Sequence, residues 1–97
     1  MSSPKRYSIR LTRHARLRSQ QRDISEKQIE SIINSPIETV YDPREDNYKS
    51  YGLAIHPYTK NQAYLLIVHS KFNTAVWIIS VMWTTKGILK RYGFSTI

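Results

Sequence analysis

Nine consecutive residues, Ala75–Trp83, are apolar except for Ser80, and they are apolar at both parities. Trp77, Ile79 and Val81 alternate with Val76, Ile78 and Met82, so a strand over Ala75–Thr84 offers no face to water. Such a strand must be central in a sheet or covered on both sides. The run is also far shorter than the roughly 20 apolar residues that span a bilayer. Ala63–Ser70 reads as a second strong strand, and Lys71-Phe72-Asn73-Thr74 between the two suits a hairpin.

The N-terminal half has a different period. Tyr7–Leu11 alternates as a short leading strand. Thr12 is placed as the N-cap of a helix from Arg13 to about Arg22, although only Ala15 and Leu17 are apolar between those ends. A second helix starts at Ser25 with a capping box through Gln28, and Ile24 and Ile29 form its hydrophobic staple. Ile29, Ile32 and Ile33 make its core stripe, and Asn34-Ser35-Pro36 ends it. Glu38–Tyr41 and Tyr48–Ile55 then read as strands, with Gly52 as a candidate bulge. The expected fold is α+β: two N-terminal helices on a mostly antiparallel sheet of four to five strands, in one domain over 1–97. Lys86-Gly87 breaks the last strand and leads into a basic-aromatic tail, residues 86–97.

Charge narrows the partners. The chain of 97 residues carries 15 Lys+Arg against 7 Asp+Glu, a formal net charge of +8. All seven acids lie in residues 23–46, so residues 1–22 and 47–97 are basic without an acid. A fold built from these segments is expected to have a strongly positive side that attracts polyanions, of which nucleic acid is the commonest. The absence of cysteine excludes a disulfide framework and a thiolate metal site. The opening MSSPKRYSIR has no apolar core of a secretory signal, so the expectation is a cytoplasmic protein with no membrane partner.

The first helix breaks local rules. Arg13 and His14 begin it, where the dipole opposes positive charge. His14, Arg18 and Arg22 follow at i, i+4 and i+8 on one face, where like charges repel. A bound phosphate would reverse both penalties by accepting hydrogen bonds from helix N–H groups and guanidinium groups. The alternative is that Arg18 and Arg22 pair with Asp42, Glu45 or Asp46 and hold the helix to the sheet. The dipole at a helix start favours a neutral imidazole, the form in which His14 would serve as a general base. Its alternative role is to hydrogen-bond the backbone there.

The remaining candidates are Ser80, the polar residue of the last strand, with Thr84 and Lys86 as helpers. Arg13, Arg16, Lys49, Tyr51, Lys90 and Arg91 complete a nucleic-acid-binding set in which aromatics alternate with cations. His69 reads as a strand-end histidine on one face with Ala63, Leu65 and Ile67, and His56 precedes Pro57 at a turn. The spacing of the three histidines gives no metal site, and neither a GxSxG, a P-loop nor a GxGxxG is present. No metal or cofactor is expected.

Thr12–Ser25 reads T-R-H-A-R-L-R-S-Q-Q-R-D-I-S and resembles the HAxxRxxxRxIS signature of a family of small bacterial and archaeal domains. That family is similar to RelE-, ParE- and BrnT-like toxins and to the barnase–colicin group of metal-independent ribonucleases. The resemblance runs from about Tyr7 to Trp83 and aligns His14, Arg18 and Arg22 with the signature His and the two Arg. Ser80 falls near a last-strand Thr. Asp23 stands where the signature usually has Gly, a position that asks for a left-handed C-cap. Met82 stands at an often aromatic position. The resemblance implies a metal-independent ribonuclease, the toxin of a toxin–antitoxin pair with RNA as substrate and an acidic antitoxin as partner. The alternative is a non-enzymatic nucleic-acid-binding module, and a third reading is a domain that docks on a larger acidic protein.

Overall fold

The structure, a computed structural model, describes residues 8–97. Tyr7, expected in the leading strand, lies outside the described residues. The elements are β1 (Ser8–Leu11), α1 (Arg13–Gln21), α2 (Glu26–Asn34), β2 (Glu38–Asp42), β3 (Asn47–Ile55), β4 (Gln62–Phe72), β5 (Ala75–Thr84) and α3 (Lys86–Arg91). They build one five-stranded sheet in the order β1-β5-β4-β3-β2. β2 to β5 form an antiparallel meander, but β1 runs parallel to β5, with Ser8 opposite Ala75 and Leu11 opposite Ile78. The fold is therefore α+β with a mixed sheet and three helices, where two helices and a mostly antiparallel sheet were expected.

Capping explains the helix boundaries. Thr12 Oγ1 accepts the Ala15 N–H at 3.1 Å and starts α1. At the other end Ile24 N–H donates to Ser19 and Asp23 N–H to Gln20, with Asp23 at φ 52°. This is a Schellman closure that uses Asp where Gly is usual. The α2 capping box closes both ways, since Gln28 N–H reaches Ser25 Oγ at 3.1 Å and Ser25 N–H reaches Gln28 Oε1 at 3.0 Å. Ile24 and Ile29 are both buried.

Two cores form, one on each sheet face. Beneath α1 and α2 lie Leu65, Ile67, Val76, Ile78 and Val81, packed with Ala15, Ile24, Ile29 and Ile32. On the opposite face Leu89 and Phe94 pack on Tyr51 and Leu66. The segment expected as a tail is thus the lid of the second face. Its end is tied down: Glu38 accepts hydrogen bonds from the N–H and hydroxyl groups of Ser95 and Thr96, and Tyr51 Oη meets Thr96 Oγ1 at 2.7 Å.

The bulge lies in β5, not at Gly52. Val68 faces Ser80 while His69 faces Ile78, so Ile79 is the extra residue. It resets the alternation, so Val76 and Ile78 share the α1–α2 face with Val81 and Trp83. Gly52 sits in an unbroken β3–β4 register, and its role is close approach. A Cβ there would lie 3.0 Å from Ile32 Cγ1. Gly52→Ala is expected to lower stability by about 1–3 kcal/mol through overpacking, read from the urea unfolding midpoint. An unchanged midpoint would show that α2 has slack above β3.

Candidate nucleic-acid interface

The position of α1 is set by polar ties to β5 at both ends. β1 pairs with Ala75–Ile78, so beyond Ile78 the outer edge of β5 has no strand beside it among the described residues. Thr12 N–H donates to the Ile78 carbonyl at 3.0 Å, and Thr12 Oγ1 reaches the Ile79 carbonyl at 3.5 Å. Ten residues on, about 15 Å along the helix at about 1.5 Å per residue, the chain approaches the edge again. Arg22 Nη1 donates to the Val81 carbonyl, and Trp83 Nε1 donates back to the Arg22 carbonyl at 3.1 Å. The buried contact between these ties is small, made by Ala15 and Ser19 one turn apart. This explains how a helix with almost no apolar stripe stays on the sheet.

The outward side of α1 is cationic. Arg13, His14 and Arg16 are exposed, and Arg18 is half-buried with its Nη1 on Gln21 Oε1 at 3.0 Å. Arg22 is half-buried and anchored through the bond just described. The acids expected as partners for these arginines are elsewhere. Asp42 pairs with Lys49 Nζ at 2.8 Å, and Asp46 accepts from Tyr41 Oη at 2.6 Å. With Glu45 they belong to the β2–β3 end of the sheet, and β4 and β3 separate β5 from β2. At about 4.8 Å per strand that distance is roughly 14 Å. The pairing of Arg18 and Arg22 with these acids does not form; Arg22 holds the helix to the sheet through a backbone carbonyl instead.

Other sequence-selected residues do not gather around His14. Ser80 pairs with Val68, and Thr84 with Tyr64, on the face opposite α1. The bulge at Ile79 decides this, and no alternation count from the sequence could have shown it. Thr84 Oγ1 is buried without a hydrogen-bond partner among the described residues. Lys86, Lys90 and Arg91 are exposed on α3, which also belongs to that opposite face. Lys49 and Tyr51 are corrected from surface contacts to interior groups. Lys49 is 6% exposed and held by Asp42 and Asn47, and Tyr51 is 1% exposed beneath Phe94.

His69 faces the α1–α2 side at the far end of β4, buried at 3% exposure. Its Nε2 meets Ser50 Oγ at 2.7 Å, its ring stacks on Tyr48, and Nδ1 has no hydrogen-bond partner among the described residues. Burial first, and the charge of Lys71 second, push its pKa from 6.5 down to about 4. The imidazole is thus a neutral structural group. Two residues that sequence reasoning passed over, Arg10 and Trp77, are cross-strand neighbours at the β1 edge, and alternation had assigned Trp77 to the interior.

The sign of the His69 effect follows. Between pH 6.5 and 4 the unfolded chain binds a proton at His69 that the folded chain refuses, so this contribution is full above pH 6.5 and declines as pH falls towards 4. The decline amounts to about 3 kcal/mol. Urea midpoints of wild type and His69→Gln at neutral pH and near pH 4 should converge on acidification. A difference that stays constant would contradict the buried neutral imidazole.

No helix of the described residues is long and apolar enough to cross a membrane. No curated protein and no solved structure matches the chain. Residues 11–83 match a family described as a domain of unknown function, DUF4258. The matched span begins at the last residue of β1, carries α1, both of its ties to β5 and strands β2 to β5 up to Trp83, and ends before α3. The chain therefore belongs to the DUF4258 family of domains of unknown function.

Proposed function

We propose that the chain binds RNA on the outward side of α1 and cleaves it without a metal, as a cytoplasmic toxin of RelE- or BrnT-like kinship. One observation carries the reading: His14 is exposed at the helix start with Arg18 one turn on, and among the described residues neither has a carboxylate partner. A phosphate at this place meets helix N–H groups and the Arg18 guanidinium, while Arg22 holds the helix in place from its other end. In the proposed step His14 takes the proton of a 2′-hydroxyl as that oxygen attacks phosphorus. The bond to the 5′-oxygen breaks, and that oxygen takes a proton from solvent. Arg18 stabilises the extra charge on the phosphorane. Such a toxin requires an inhibitor, and an acidic antitoxin complements the same face.

A second reading is a non-enzymatic RNA-binding module. It is favoured by the separation of Ser80, Thr84 and Lys86 from His14 across the sheet, which leaves His14 without a second proton-transfer group from this set.

Cleavage of a long RNA, free and in a translation extract, separates the two when binding is measured in parallel at two salt concentrations. His14→Ala is expected to lower cleavage by about 10² to 10⁴ while affinity stays within a few fold. Arg18→Ala is expected to weaken binding and lower the salt slope by about 0.7 for a single strand. EDTA is expected to change nothing. Cleavage that survives His14→Ala excludes His14 as the base, and binding without cleavage by wild type in both assays selects the module. Neither binding nor cleavage overturns both readings and leaves the docking domain.

A further inference from the structure

A cavity of about 300 Å³ wraps the outer edge of β1, lined by Ile9, Arg10, Leu11, Arg16, Glu26 and Trp77. Its composition is unusual for its place in the fold. Trp77 lies between Val76 at 1% and Ile78 at 0%, yet is itself 37% exposed. The α3 lid does not account for it, because the second core lies further along the sheet at Tyr51, Leu66 and Met82. Arg10 is the β1 residue directly across from Trp77, so its side chain shares that face. Arg16 comes to the same cavity from α1. An indole and two guanidinium groups thus meet at a sheet edge, with Glu26 as the single carboxylate of the lining.

We propose that this groove is a subsite for one unpaired nucleotide of single-stranded RNA, with the base on the Trp77 indole and the flanking phosphates at Arg10 and Arg16. The inference rests on the RNA reading of α1 and gives it a strand preference. The volume lies at the low end of small-ligand sites, enough for one nucleotide and too small for a base pair. A base needs an aromatic plane that accepts any sequence, and the backbone needs cations on either side of it. The charge balance of the lining, two arginines against one glutamate, favours an anionic chain, and the indole favours one that carries bases. Arg16 is part of α1 but, at about 100° per residue, lies about 160° round the helix from His14 and Arg18, so a strand seated in the groove reaches their face only by crossing the helix.

Equilibrium binding of a short single-stranded oligoribonucleotide, and of the same sequence annealed to its complement, tests the proposal. Trp77→Ala is expected to weaken single-strand binding by about 10-fold or more, with duplex affinity unchanged. Trp77→Phe, which keeps a ring, is expected to stay within about 3-fold of wild type. Arg10→Ala is expected to weaken the single strand and reduce its salt slope by about 0.7. Circular dichroism of each variant separates loss of the site from loss of the fold, and Trp77→Phe and Arg10→Ala still decide if Trp77→Ala unfolds. Single-strand affinity that survives Trp77→Ala but falls with Arg18→Ala overturns the subsite and leaves the α1 reading intact. Wild type that binds neither RNA overturns both. Trp77-dependent self-association in the absence of RNA assigns the groove to a second copy of the chain and overturns the nucleotide.

Discussion

The structure depends on the half of β5 that β1 does not reach. A strand at the edge of a sheet carries carbonyl groups that must find donors or remain in water. β1 covers Ala75–Ile78, and the chain then leaves the edge to enter α1. Thr12 and Arg22, at the two ends of that helix, supply donors to the carbonyls of Ile79 and Val81. The helix thus takes the place of a strand along the second half of the edge. Its small contact residues, Ala15 and Ser19, let it come close enough to do so.

This arrangement divides α1 into two sides with separate work. One side stitches the helix to β5 through Thr12 and Arg22. The other has no apolar contact to make, and it is there that Arg13, His14, Arg16 and Arg18 face outward. Like charges on a helix that no core requires are a local cost, and such costs collect at functional sites. The second sheet face is closed independently by α3 and the segment after it, whose end Glu38 secures. Basic residues on α3 therefore form a different surface from those on α1, although a linear reading of charge groups them together.

What was legible in the sequence was what short-range chemistry determines. The Ser25–Gln28 box, the Thr12 cap and the left-handed demand at Asp23 are all local, and each is in place. The doubly apolar β5 is central, between β1 and β4, as required, but its cover is complete on the α1–α2 face only, since Trp77 on the other stays exposed. The parallel β1 was not legible, because four alternating residues carry no sign of direction or partner. Nor was the face of Ser80, since one extra residue at Ile79 reverses every parity beyond it. Lys49 and Tyr51 misled because a lysine paired with Asp42 and a tyrosine bonded to Thr96 look, in a sequence, like a surface set for bases. Arg22 matched a signature position, but a motif does not say whether a guanidinium meets a phosphate or a backbone carbonyl.

The division of α1 into an anchoring and an outward side is most directly tested by the urea unfolding free energies of Arg22→Ala and Arg18→Ala, measured side by side without ligand. Arg22→Ala removes a charged hydrogen bond and leaves the Val81 carbonyl short of a donor, so a loss of about 1.5–3 kcal/mol is predicted. Arg18→Ala removes an exposed contact to Gln21, and stability should stay within about 0.5 kcal/mol of wild type. Equal losses, or a larger loss for Arg18→Ala, would contradict the account.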